Sequence, residues 1–291
     1  MHRLGVIGNG FVGKATCALR NDRVHVLAYD TVPAACDPPG TSLADVAACD
    51  IVFVSVPTPM DATTGEVHLS IVEAVVRDVR RLNSDAFIVV RSTVPSGTCD
   101  RLGVCFMPEF LTEANSVDDF RQTKSWIFGL PAPNPAFATK MQTVLQVCRA
   151  AGCIRSSHVT WMRCAEAEMV KYFRNTYLAA KVAYCNEIST LCGALGVDYD
   201  RIRQVAASDS RIGLSHTAVP GPDGRRGFGG TCFPKDCHGL RTQYARQKVP
   251  CPLLQATLQR NETLDRPDKD WLSSVGRAVR EDSPTCDGST D

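Results

Sequence analysis

The amino-acid sequence predicts an α/β protein: an N-terminal parallel sheet wound with helices, followed by an all-helical unit built on one long helix. Three observations carry this. Short β-branched runs alternate with helical patterns from the first residues onward. A glycine-rich turn joins the first of these runs to the first helix. Over Cys164–Leu195 the chain is rich in Ala, Glu, Met, Lys and Leu, with no proline and no glycine before Gly193.

Residues 4–7 form the first expected strand, residues 11–19 a helix, Val24–Tyr29 the second strand, residues 43–48 a short helical turn and residues 51–56 the third strand. Strands separated by helices in this rhythm imply right-handed crossovers between parallel neighbours. Ser70 and Glu73 stand at capping-box spacing, and the helix they open is expected to end near Leu82. Phe87–Val90, residues 104–107 and Trp126–Leu130 read as further buried strands, and Pro131, Pro133 and Pro135 stiffen the connection to the next helix. The sheet domain is expected to span residues 1–157 and the helical domain residues 158–280.

The long helix measures ~45 Å at 1.5 Å per residue, enough to form the backbone of the second domain and an interface with a second copy. Residues 199–208 and 253–264 continue the helical character, and residues 269–279 add a last helix. Between them, residues 209–230 form a loop of a length that compact domains reserve for function. Residues 281–291 have the composition of a disordered tail.

At 291 residues the chain exceeds what a single core usually fills, which fits the two-domain reading. With 44% hydrophobic and 22% charged residues and a net charge of +1, neither nucleic acid nor a membrane surface is expected as main partner. That leaves small molecules and other protein chains. The first residues run straight into a strand without the apolar stretch of a signal peptide, and no later segment suits a bilayer. A cytoplasmic location is the resulting expectation. The 14 cysteines are scattered, with no paired CxxC at zinc spacing. No metal is expected, and the thiols other than Cys232 read as reduced and at least half-buried.

Gly8-Asn9-Gly10-Phe11-Val12-Gly13 follows a predicted strand and opens a predicted helix. In that setting the first glycine makes the tight turn, the second lets the backbone approach a pyrophosphate, and the third lets the helix pack on the sheet. Asp30 ends the second strand, where a carboxylate bonds an adenosine ribose and repels a 2′-phosphate. The first domain therefore reads as a Rossmann-type domain for NAD. Val56-Pro57-Thr58-Pro59 and Ser92-Thr93-Val94-Pro95 end strands on the same ligand-binding edge.

In Gly227-Phe228-Gly229-Gly230-Thr231-Cys232-Phe233-Pro234-Lys235-Asp236, glycines that permit close backbone approach precede a cysteine. Pro234 suits the first turn of a helix, which brings Cys232 to the positive helix end, and Lys235 is a nearby cation that favours a thiolate. Lys171 and Asn175, four residues apart, share a helix face. His216 and His238 suggest no partner and read as solvated or structural.

Taken with Val54-Ser55-Val56-Pro57-Thr58-Pro59, Pro108-Glu109-Phe110-Leu111-Thr112-Glu113 and Arg211-Ile212-Gly213, these segments resemble the UDP-glucose/GDP-mannose dehydrogenase family. They occur in the family's order over roughly residues 1 to 280. The resemblance implies NAD held by Gly8, Gly10, Phe11, Val12, Gly13, Asp30, Pro57, Thr58, Thr93 and Glu113. It implies a nucleotide sugar bound by Glu109, Phe110, Leu111, Lys171, Asn175, Arg211, Phe228, Gly229 and Lys235. Arg211 would reach the substrate of a neighbouring subunit, so a homodimer through the long helix is implied.

The implied reaction oxidises UDP-glucose to UDP-glucuronate in two hydride transfers through a thiohemiacetal and a thioester on Cys232. Lys171, Asp236, Asn175 and Thr93 would organise water and oxyanion, and Glu109 would act as base in thioester hydrolysis. A single-step β-hydroxyacid dehydrogenase shares the domain plan and a lysine on the long helix. It has no need of the Gly229-Gly230-Thr231-Cys232 string.

Family members continue into a third, nucleotide-binding domain, and no strand-helix alternation follows residue 279, so that domain is expected to be absent. Three readings stay open on this point: a working dehydrogenase, a truncated NAD-binding relative with little or no turnover, and a non-enzymatic scaffold or partner of a full-length homologue. UDP-glucose, GDP-mannose and UDP-N-acetylmannosamine dehydrogenases share the chemistry, and the Phe233-Pro234-Lys235-Asp236 ending favours UDP-glucose.

Overall fold

The computed structural model describes residues 1–280; the tail expected at 281–291 lies outside them. The chain divides into two compact units. The first comprises Met1–Thr58 and Leu69–Lys171, and the second comprises Pro59–His68 and the chain from Tyr172 onward.

The first unit is a sheet of seven strands in the order β2-β1-β3-β4-β5-β6-β7. The strands are β1 (His2–Ile7), β2 (Val24–Tyr29), β3 (Ile51–Val54), β4 (Phe87–Val90), β5 (Cys105–Phe106), β6 (Trp126–Leu130) and β7 (Val159–Arg163). Around it run α1 (Phe11–Cys17), α2 (Leu43–Ala47), α3 (Ser70–Leu82), α4 (Thr98–Leu102), α5 (Ser116–Arg121) and α6 (Pro135–Ala150). The opening turns of α7 (Cys164–Leu195) also belong to this unit.

Both faces of the sheet are buried, which is why β3 and β4 are continuous apolar runs rather than alternating ones. One face packs residues such as Leu4, Phe53, Phe128 and Phe137, the other Val52, Val76, Val90 and Phe106. All pairings are parallel except β5 with β6, which meet antiparallel through the single pair Phe106↔Gly129. The uniform parallel rhythm is thus corrected where β5 is only two residues long.

The sheet also moves the domain boundary. β7 lies beyond residue 157, the closure expected from sequence, and pairs with β6 over five residues. The range 158–280 is therefore not all-helical. α7 begins directly after β7 and packs so closely on β6 that a Cβ on Gly129 would stand 2.7 Å from the Cα of Cys164.

The second unit holds the rest of α7, then α8 (Tyr199–Ala206), α9 (Phe233–Arg246) and α10 (Pro252–Arg260). Its core gathers Tyr172, Ala179, Phe228, Cys237, Leu240, Leu254 and Leu258. α10 runs on into a π turn over Asn261–Asp265. A last helix over 269–279 does not form: only Asp270–Ser273 makes a 3₁₀ turn, between left-handed Lys269 (φ 46°) and Gly276 (φ 77°). Met60 closes this corner by bridging to Val67 and Val279.

The capping box expected at Ser70 and Glu73 is also corrected. Ser70 is already the first helical residue, Leu69 is the N-cap, and the Glu73 carboxylate pairs with Arg101 at 2.6 Å. The capping box that does form is on α2, between Ser42 and Asp45.

Candidate active site

In the first unit β1, β3 and β4 are parallel, so the segments that leave their carboxyl ends emerge along one edge. Strand order reverses at β1 and β3, and ligands of open α/β sheets bind at such a crevice. Gly8 lies in it with φ 85°, and a Cβ there would stand 2.7 Å from the Ser55 carbonyl oxygen. A Cβ on Gly13 would run into the Gly8 carbonyl oxygen, so this glycine sets how closely α1 approaches the strand.

Around Gly10, by contrast, a Cβ would meet nothing within 4 Å. Gly10 is the N-cap of α1 and supplies no side-chain cap, which leaves the first-turn amides of Phe11 and Val12 for a ligand. Asp30 is held at the same turn, accepting hydrogen bonds from the amides of Asn9 (2.7 Å) and Val32 (2.9 Å). An open cradle of backbone donors with a fixed carboxylate beside it fits NAD. Buried Thr58 donates to the Thr93 carbonyl at 2.9 Å and ties the β3 and β4 exits together. Pro57 and Glu113 are exposed.

Glu109 and Lys171 meet in the same unit. Both are buried, the Lys171 ammonium bonds the Glu109 carboxylate and also its carbonyl oxygen (2.7 Å), and it lies 5.7 Å from the Phe110 ring centre. The Leu111 amide donates to the second carboxylate oxygen at 2.9 Å. Burial works against the Glu109 charge, but Lys171, the Leu111 amide and the Arg91 guanidinium outweigh it and hold the carboxyl below the usual range. Glu109 is therefore a carboxylate at neutral pH, able to accept a proton. Arg91, Glu109, Phe110, Leu111 and Trp126 line one small cavity.

In the second unit Cys232 is the N-cap of α9, with Pro234 in the first turn. Asp236 follows one turn on, its amide bonded to the Cys232 carbonyl at 2.9 Å. The Asp236 carboxylate is buried between the Asn175 amide nitrogen (2.6 Å) and the Lys235 ammonium (3.1 Å). The Lys235 ammonium thus bonds the carboxylate that follows it in sequence. Phe228 is buried with its ring 6.3 Å from that of Phe233. Arg211 is exposed and pairs with Asp209 at 2.5 Å.

The glycines before Cys232 also differ from expectation. A Cβ on Gly227 would run into Asn261, and one on Gly229 into Arg266, so both are filled from beneath by side chains of the same chain. Gly230 (φ 70°) alone of these faces open space. His238 finds Glu262 at 2.9 Å, and His216 lies beside Ser215 and 5.6 Å from the Phe233 ring.

Sequence reasoning missed Glu168, Asn261 and Arg266, all buried. Glu168 accepts from the amides of Gly97 (2.5 Å) and Cys99 (2.8 Å), and so fastens the turn that carries Thr93. The spacing Glu168 to Lys171, one helical turn, is the signal that could have found it. Among the described residues no disulfide forms, no cluster of metal-ligating side chains appears, and no helix is long and apolar enough to cross a membrane.

The UDP-glucose/GDP-mannose dehydrogenase family matches through its NAD binding domain over residues 40–146 and its central domain over residues 165–263. UDP-glucose 6-dehydrogenase of Rickettsia prowazekii is 31% identical over 226 residues, which are 73% of this chain and 49% of that protein. The Pseudomonas aeruginosa enzyme of the same name is 32% identical over 306 residues, 89% of this chain and 65% of that one. The chain thus spans about half to two-thirds of these relatives' length. The solved UDP-glucose dehydrogenase of the archaeon Pyrobaculum islandicum superposes with a TM-score of 0.76 at 28% identity, over 90% of this chain and 68% of that one. With the two domain matches together covering more than half of its residues, the chain belongs to the UDP-glucose/GDP-mannose dehydrogenase family and carries its NAD-binding domain.

Proposed function

We propose that the chain oxidises the primary alcohol of a nucleotide sugar, UDP-glucose first among the candidates, to the carboxylic acid. The observation that carries this reading is Cys232 at the N-cap of α9, one turn before a buried Asp236 that Asn175 holds. A helix N-terminus favours thiolate over thiol, and a thiolate is what an aldehyde needs to become a second hydride donor.

NAD would be held by Gly8, Gly10, Phe11, Val12, Gly13, Asp30, Pro57, Thr58, Thr93 and Glu113, and two NAD molecules bound in turn would accept the two hydrides. The chain's own residues do the rest. The first oxidation leaves an aldehyde, and the Cys232 sulfur adds to its carbonyl carbon to give a thiohemiacetal. Loss of a second hydride leaves a thioester, and water displaces the sulfur to give the acid and restore the thiolate. Lys171, Asn175, Asp236 and Thr93 steady the oxyanion and the water, and Glu109, already ionised, takes the water's proton. Phe110, Leu111, Phe228, Gly229 and Lys235 are assigned to sugar contact.

A homodimer through α7 completes the proposal, with Arg211 serving the partner's substrate. Phe173, Tyr177, Tyr184, Leu191 and Leu195 are all more than half exposed. At ~100° per residue they fall within about 40° of one another on the helix, an apolar stripe that a second copy would bury.

The test is incubation of the purified chain with NAD and UDP-glucose. Formation of two NADH per sugar, with uronate as product, supports the reading. Retained NAD binding with no NADH, at chain concentrations where the dimer forms, overturns it in favour of a truncated NAD-binding relative with little or no turnover.

A further inference from the structure

The segment from Asp223 to Gly229 is joined to the π turn and to residues 266–270 by a ladder of charge and backbone bonds. Arg225 pairs with Asp268 (2.7 Å) and Asp270 (3.0 Å), and Arg226 with Asp265 (3.4 Å). Arg266, 2% exposed, stands at the centre. It pairs with Asp223, donates to the Arg226 carbonyl (2.8 Å) and bonds Asp270 at 2.6 Å.

Asn261, fully buried, accepts from the Phe228 amide (2.8 Å) and donates to the Phe228 carbonyl (2.9 Å), holding the backbone on both sides of one residue. Gly227 and Gly229 are the residues that let these side chains in. The side of the segment that these side chains fill is closed to a ligand, so their packing serves the backbone itself.

We propose that Arg266 and Asn261 are positioning residues for the Cys232 sulfur: they fix the path of residues 223–229, so that the left-handed turn at Gly230 delivers Cys232 to the N-cap of α9. The chain between clamp and sulfur is short, three residues from Gly229 to Cys232. A shift of the clamp therefore reaches the sulfur with little room for slack. Arg266 is suited to the task because a guanidinium donates in three fixed directions at once, which an ammonium on a flexible stem does not.

The inference rests on Cys232 being the reacting thiol, but its readout does not depend on turnover. In the full chain, the rate of Cys232 alkylation by iodoacetamide is measured against pH by mass spectrometry of the Cys232 peptide. Cys237, fully buried, serves as the protected reference. Parent, Arg266→Met, Arg266→Lys and Asp223→Ala are compared, with circular dichroism reporting the fold.

The midpoint of the alkylation profile moves upward in Arg266→Met, because the sulfur loses its fixed place at the helix end. It moves by less in Asp223→Ala, which removes one leg of the clamp, and Arg266→Lys recovers part of the parent profile. Folded Asp223→Ala and Arg266→Met with the parent midpoint would overturn the proposal. Should Arg266→Met fail to fold, Asp223→Ala decides alone, because its half-exposed carboxylate can be removed without emptying the core. If Cys232→Ser still forms uronate at the parent rate while the midpoint shifts as described, the dehydrogenase chemistry is wrong and the positioning stands.

Discussion

At residues 8–13 the middle glycine faces open space, whereas at residues 227–230 two of the three glycines are filled by Asn261 and Arg266 of the same chain. The two turns look alike as letters and differ as objects. The first is a cradle left empty for a ligand, walled by Gly8 and Gly13, whose missing side chains make room for neighbouring backbone. The second is a splint, in which missing side chains make room for buried polar groups that hold the backbone still. Glycine in a functional loop thus has two meanings, and only the neighbours say which applies.

Substitutions at the two turns sharpen this contrast. Gly229→Ala carries the largest expected effect: a Cβ there meets Arg266 and stands 2.8 Å from the Asp270 carboxylate. Overpacking of this kind costs about 2 kcal/mol, read in a denaturant melt, and slows Cys232 alkylation or shifts its pH midpoint. A Gly229→Ala chain with parent stability would show that the splint yields freely.

An intermediate effect concerns how the edge of the first unit is fastened. Where the Cys232 turn is held by ion pairs, the turn that carries Thr93 is held by the Glu168 carboxylate, which accepts from two amides. Burial pushes the Glu168 carboxyl up to about 7, against the pull of the Cys99 and Gly97 amides. The native chain then keeps a proton that the unfolded chain releases in the ordinary glutamate range. Its contribution to stability is full below that range and is lost as pH rises through about 7. Glu168→Gln removes the titration, so its stability curve is flatter over this window; equal slopes in parent and variant would place the titrating group elsewhere.

The smallest change in stability is expected at Gly10→Ala. Its Cβ meets no atom within 4 Å, so stability stays within about 0.5 kcal/mol of the parent. NAD affinity nonetheless falls in calorimetry, because the methyl group occupies the space left for the ligand. If Gly10→Ala instead lost stability as Gly229→Ala does, the distinction between cradle and splint would collapse.

Much of the fold was legible in the sequence where one physical signal dominated. The bounds of α7, Cys164 to Leu195, follow from unbroken helix-forming composition, and β2, β4 and β6 from apolar runs flanked by turn residues. The signal failed where tertiary pairing decides. β7 reads as Val-Thr-Trp-Met-Arg, none of it fully buried, and only its pairing with β6 makes it a strand.

The site was legible to a different depth in each unit. Lys171 bonds Glu109 and Asn175 bonds Asp236; the motifs named all four residues as candidates but did not pair them. The clamp was invisible because Phe228 and Asn261 are 33 residues apart and Asp223 and Arg266 are 43 apart, with no periodicity to link them. A lone arginine or asparagine among exposed-looking residues carries no mark of burial until its partners are known.

The central claim is that the sulfur of Cys232 carries the sugar between the two oxidations. Its most direct measurement is uronate formed from UDP-glucose and NAD by the parent chain and by Cys232→Ser, with NAD affinity determined for both. The serine variant should bind NAD as the parent does and form no acid, whereas uronate at the parent rate from that variant would contradict the covalent route.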